Sequence, residues 1–202
     1  NGGTLSVKQD VSVSSAVTHS DNSKVDISTG STLTLTGGDI NVGAKTLTLS
    51  GGGAVANQGQ LILDNPVSIL KLGGIASVKN VSMPATYSTG KLEVSENAIV
   101  KNILSSGLSR VDILDSKTLR IENDFEIPQT KSMDMIGAGG TLSLGDNMTL
   151  SGTLKFSSQG SLNNGKVKLN GGLFDVDQNI TVGSDLMHSA GSFIEIEDGK
   201  KL

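Results

Sequence analysis

The chain has only two arginines, Arg110 and Arg120, and both stand among acids. With Asp112, Asp115 and Glu122 they make the densest local cluster of chemistry-bearing side chains. Carboxylates on adjacent strands, gathered on one face beside a guanidinium, are what an enzyme acting on acidic polysaccharides uses. One carboxyl group gives a proton, another activates water or takes one, and the cation steadies negative charge. The same residues read equally well as a solvated outer face whose ion pairs are each worth little, and that reading is preferred. Arg110, Asp112, Asp115 and Arg120, together with Tyr87, are therefore kept as candidate ligand-binding residues. No catalytic residue is assigned, and the chain is not expected to be an enzyme.

Other constellations are weaker. Asp175 and Asp177 lie two apart and would share a face of a strand, but calcium requires six to eight oxygen ligands. Chance surface acids are the better reading. His19 and His188 have no partner at metal-ligand spacing, and no Gly-x-Ser-x-Gly elbow marks a nucleophile. Both are read as surface histidines, with no metal and no cofactor. Thr32, Thr34, Thr36, Thr46 and Thr48 alternate in a way that suits outward polar rows, but their spacing is too irregular for a repeating ladder.

The elements that would carry these residues announce themselves by repetition. A short phrase of alternating apolar and polar residues, often opened by glycine, returns along the chain. It reads Gly3-Thr4-Leu5-Ser6-Val7, Ser31-Thr32-Leu33-Thr34-Leu35, Lys45-Thr46-Leu47-Thr48-Leu49 and Gly90-Lys91-Leu92-Glu93-Val94. Later copies include Lys117-Thr118-Leu119-Arg120-Ile121, Gly140-Thr141-Leu142-Ser143-Leu144, Gly152-Thr153-Leu154-Lys155-Phe156 and Ser192-Phe193-Ile194-Glu195-Ile196. Period-2 alternation over so few residues means a strand with one buried face. Helical periodicity finds no support. Between the phrases lie Gly37-Gly38-Asp39, Gly51-Gly52-Gly53, Asn163-Asn164-Gly165 and Asn170-Gly171-Gly172, residues that tolerate tight corners.

Composition points the same way. Aromatic residues are 2% of 202, with no tryptophan and no cysteine, while glycine numbers 26. A β-sandwich wants longer strands and a mixed aromatic core. Short strands, dense corners and an aliphatic interior fit a parallel β-helix, whose turns stack. The expected fold is all-β, a right-handed parallel β-helix of roughly nine or ten irregular rungs. It runs over residues 1–202 as a single solenoid within a longer chain, with 75–116 least regular and bearing longer loops. The formal charge of -4 and the absence of a basic run argue against nucleic acid. No apolar run approaches the length of a membrane span, so this segment is not expected to insert. Phe125, Phe156 and Phe174 share parity with inward aliphatics, which leaves Tyr87 and Phe193 as the exposed rings.

The repeated Gly-x-Leu-x-Leu phrases, the Asn-Gly corners and the lack of cysteine resemble the β-helix regions of large bacterial surface proteins. Those are autotransporter passengers and filamentous-haemagglutinin-like adhesins, and the resemblance covers most of the chain. It implies export to the bacterial cell surface or beyond, and a structural role as fibre, surface layer or adhesin stalk. Ligand binding to host cells or glycans is the alternative, and a polysaccharide lyase or hydrolase is third. The expected partners are the chain's own neighbouring repeats or further copies joined end to end.

Overall fold

The computed structural model describes residues 2–82, 90–104 and 109–202. Every strand pairing among them is parallel, and none of them is helical. The chain coils as a β-solenoid of about nine turns.

One flat sheet holds ten strands in simple chain order, from Gly3–Val7 and Ser23–Ile27 through Lys91–Val94 and Ser109–Ile113 to Leu173–Val176 and Phe193–Ile196. A second sheet of 13 strands wraps the rest of the coil and is bent into two facets. Strand Gly160–Leu169 shows the bend. Its first half pairs with Gly140–Leu144 and its second half with Asn147–Leu150, two separate strands of the preceding turn. Between the halves, Asn164 and Gly165 take φ of 60° and 53°, the left-handed conformation that Asn and Gly adopt at least cost. The Asn163-Asn164-Gly165 signal is thus a corner that the strand passes through rather than a break between strands. The cross-section has three sides.

Register follows from alternation. Leu92 pairs with Leu70 and Val111, and Val94 with Leu72 and Ile113. All six point inward and are buried, so each turn stacks aliphatic on aliphatic, and a one-residue slip would turn the whole row outward. Larger side chains fill the stack toward the C-terminal end. Phe156 and Phe174 are fully buried and meet edge to face, with ring centroids 5.9 Å apart. Phe125 is buried as well and Phe193 is exposed, as their parity implies.

Turn length is not constant. Gly3 pairs with Ser23, an offset of 20 residues, whereas Ser23 pairs with Leu47, an offset of 24. The phrases also fall on different sides of the coil. Thr46–Ser50 lies in the flat sheet, Thr32–Leu35 on the second facet and Leu61–Ile62 on the third. This is why the spacing read along the sequence is uneven while the stacking is not. Nine steps between the ten strands of the flat sheet, at about 4.8 Å each, give a rod roughly 45 Å long.

Within residues 75–116, strands Ser77–Ser82, Ala98–Leu104, Lys91–Val94 and Ser109–Ile113 take their places in the two sheets. The remaining stretches, 83–89 and 105–108, lie outside the described residues. So does Tyr87.

Candidate functional site

The flat sheet presents its outward positions as a charged ladder. Lys71 stands opposite Glu93, and Glu93 opposite Asp112. Two like charges facing each other would destabilise the pairing, and Lys91 relieves this. Its Nζ lies 3.0 Å from Glu93 and 2.6 Å from Asp112, while Lys71 reaches Glu93 at 2.6 Å. The result is a zigzag of alternating charge across three turns. Burial is the largest single influence on both Lys91 and Glu93, and it disfavours their charged forms. The hydrogen bonds with Asp112 and Glu93 outweigh it for Lys91, whose pKa is raised. Those from Lys71 and Lys91 outweigh it for Glu93, whose carboxyl is held below the usual range.

Asp112 is therefore committed to Lys91. Arg110 lies on the same strand, between Lys91 and Asp134 in register. Asp115 sits in the turn that follows. Arg120 lies on the second facet, in strand Thr118–Ile121, opposite Ile99 and Ser143, where it borders a shallow hollow with Asn97 and Thr118. Glu122 follows that strand, 3.8 Å from Lys101. The fold thus separates the cluster that looks continuous in sequence. Arg110 and Asp112 share one face, Arg120 belongs to another, and the arrangement of paired carboxylates that hydrolysis requires is not assembled by them.

Asp175 and Asp177 do hold a cation, and it is Lys155. Its Nζ lies 2.9 Å from Asp175 and 2.6 Å from Asp177. Hydrogen bonds that the lysine donates to Asp177 and then to Asp175 hold it well above its ordinary pKa. Among the described residues no group of three or more His, Cys, Asp or Glu is placed to hold a metal ion. Thr34 and Thr48 fall on different sides of the coil, beside Ser12 and Ala56 in one case and Lys24 and Lys71 in the other, so these threonines do not form one row.

Two polar devices were not singled out from the sequence. The first is an asparagine ladder at the corner between the second and third facets. Asn57 is almost fully buried, and its Oδ1 accepts from the backbone N–H groups of Lys79 and Asn80, both at 3.2 Å. Asn80 donates to the carbonyls of Asn57, Gln58 and Gly59. Asn102 then donates to Asn80, and Asn123 to Asn102, each at 2.8 Å. The second device is a set of side-chain caps, each reaching one turn onward. Asp10 accepts from the backbone N–H of Thr32, Asn22 from Thr46, Asn97 from Thr118 and Asp124 from Asn147. The Asn147 backbone bond also keeps Asp124 below its ordinary pKa. At both places a corner leaves backbone groups without a ladder partner, and a short polar side chain supplies one.

His188 is exposed, with Nε2 3.0 Å from the carbonyl of Ser192. His19 departs from the surface position expected for it. It is partly buried, its Nδ1 lies 3.0 Å from the carbonyl of Val42, and its Nε2 is buried.

The ends differ from the body. At one end Leu5 and Val11 are exposed, although they stand in register with Val25 and Leu33. At the other, Ile194 and Ile196 are exposed, although they stand in register with the buried Phe174 and Val176.

Comparison with protein-family models, with curated proteins and with solved structures finds no match.

Proposed function

We propose that this chain is a structural β-solenoid of the cell surface or extracellular space, which builds or projects a fibre, surface layer or adhesin stalk, and that it does so without catalysis. The observation that carries this reading is a stack in which each inner turn is paired with the turns above and below it, so that its terminal strands offer edges to a further turn, of this chain or of another copy. Along the body, strand edges are paired above and below, several corners are capped by side chains, and Lys71, Lys91 and Lys155 are paired with carboxylates of neighbouring turns. At the ends, strands Gly3–Val7 and Phe193–Ile196 are the terminal members of the flat sheet, and each presents a row of backbone donors and acceptors for another strand. Inward-facing aliphatics beside those edges are exposed to water. All strands run parallel, so a second copy adds head to tail without reversing direction, and such a contact propagates instead of closing. The extracellular placement rests on the resemblance to β-helices of bacterial surface proteins.

Sedimentation velocity across a concentration series tests the proposal. The wild-type chain is expected to shift to larger species as concentration rises, and an Ile194→Lys, Ile196→Lys variant to remain a single rod. A wild-type chain that stays monomeric throughout, or a variant that associates as the wild type does, overturns it.

A further inference from the structure

The first turns of the coil are not filled as the middle ones are. A cavity of about 350 Å³ opens inside them, lined chiefly by Leu5, Val13, Val17, Val25 and Leu33, with His19 among its few polar residues. Its origin is local. Between Val13 and Ser23 the chain forms no strand, so the third side of the first turn is a loop that cannot press its side chains onto the stack as a strand would. The loop is tied to the coil through His19, whose Nδ1 meets the Val42 carbonyl at 3.0 Å. A carbonyl only accepts, so in the neutral imidazole Nδ1 carries the hydrogen and Nε2 is left an acceptor. That Nε2 is buried and has no hydrogen-bond partner. Leaving a buried polar atom without a partner is unfavourable, and among the described residues it is the one buried side-chain nitrogen or oxygen in this condition.

We propose that this cavity is a binding site for a small, largely apolar molecule carrying one hydroxyl donor, a phenol or an aliphatic alcohol, whose hydroxyl donates to His19 Nε2. The size suits such a ligand. Cavities of about 150 Å³ take benzene, and ligand sites begin near 300 Å³, so two fused rings or a medium alkyl chain fit. The polarity suits it as well: the wall is mainly aliphatic, its polar members are Thr4, Thr18, His19, Ser23 and Lys24, and His19 Nε2 is the buried acceptor among them that lacks a donor, which favours an apolar body with one donor.

The probe is 2-naphthol, with 2-methoxynaphthalene as the isostere that has no donor. The wild-type chain contains no tryptophan, and exciting the naphthalene ring beyond the tryptophan band reports binding in the wild type and in every variant. The wild-type chain is expected to bind 2-naphthol saturably at one site, and 2-methoxynaphthalene about tenfold more weakly, the equivalent of roughly 1.4 kcal/mol. His19→Leu should lower 2-naphthol affinity about tenfold and leave 2-methoxynaphthalene unchanged. Val13→Trp, which fills the cavity, should abolish both. Circular dichroism establishes that each variant keeps the β fold, and His19→Leu alone suffices where Val13→Trp does not fold. Absence of saturable binding to the wild-type chain overturns the proposal. So does 2-naphthol binding that His19→Leu leaves unchanged. If in addition Leu5→Lys changes only self-association, this end belongs to a second copy of the chain.

Discussion

The phrase Gly3-Thr4-Leu5-Ser6-Val7 and the phrase Gly90-Lys91-Leu92-Glu93-Val94 are written in the same pattern and form the same kind of strand in the same sheet. Leu92 is 0% exposed and Leu5 is 52% exposed. The difference lies wholly in the neighbours. Leu92 has Leu70 on one side and Val111 on the other, whereas Leu5 has only Val25. In a solenoid the strand does not bury itself. Burial is a property of the pair of interfaces a turn makes, and a turn at the end has one. The inner turns of the stack are therefore covered on both sides and the terminal described turns on one, although the sequence spells both alike.

The comparison can be sharpened by substitution. Leu92→Ala should cost about 2–5 kcal/mol, since it removes buried methyl groups and leaves a cavity between two turns that cannot collapse. Leu5→Ala should cost less than about 1 kcal/mol, because half of that side chain already meets water. Urea unfolding followed by circular dichroism measures both, and equal losses would break the comparison. A smaller effect separates the two ends of the asparagine ladder. Asn57→Ala should cost about 1–3 kcal/mol, since the backbone N–H groups of Lys79 and Asn80 lose their acceptor inside the corner. Asn123→Ala, at the exposed end of the ladder, should change stability by no more than about 0.5 kcal/mol. Matched losses at the two positions would mean that the ladder acts as one unit, not as a sum of local satisfactions.

The strands, their inward residues and the parallel stacking were legible in the sequence because alternation has a period of two and needs no distant partner to be read. Leu33, Leu47, Leu92, Leu119 and Leu142 all sit inside, as their phrases imply. The assignment of phrases to sides of the coil was not legible. Turn length varies, and successive phrases occupy different facets, so sequence spacing does not equal turn length. The same uncertainty explains the cluster around Arg110 and Arg120. Ten residues separate them, less than half a turn, and this places them on different faces. The asparagine ladder escaped notice for a related reason. Asn57, Asn80, Asn102 and Asn123 recur at 21 to 23 residues, each one turn apart. That interval is meaningful only once the turn length at that corner is known. His19 resembles any loop histidine until the fold brings Val42 above it.

Inner strands are paired on both sides and the terminal described strands on one, and in the proposed function another copy takes up those edges. Electron microscopy of the wild-type chain across a concentration series tests this most directly. The expected result is uniform filaments one solenoid wide that lengthen with concentration, with a repeat of about 4.8 Å along the axis. Dispersed rods roughly 45 Å long at every concentration would contradict it.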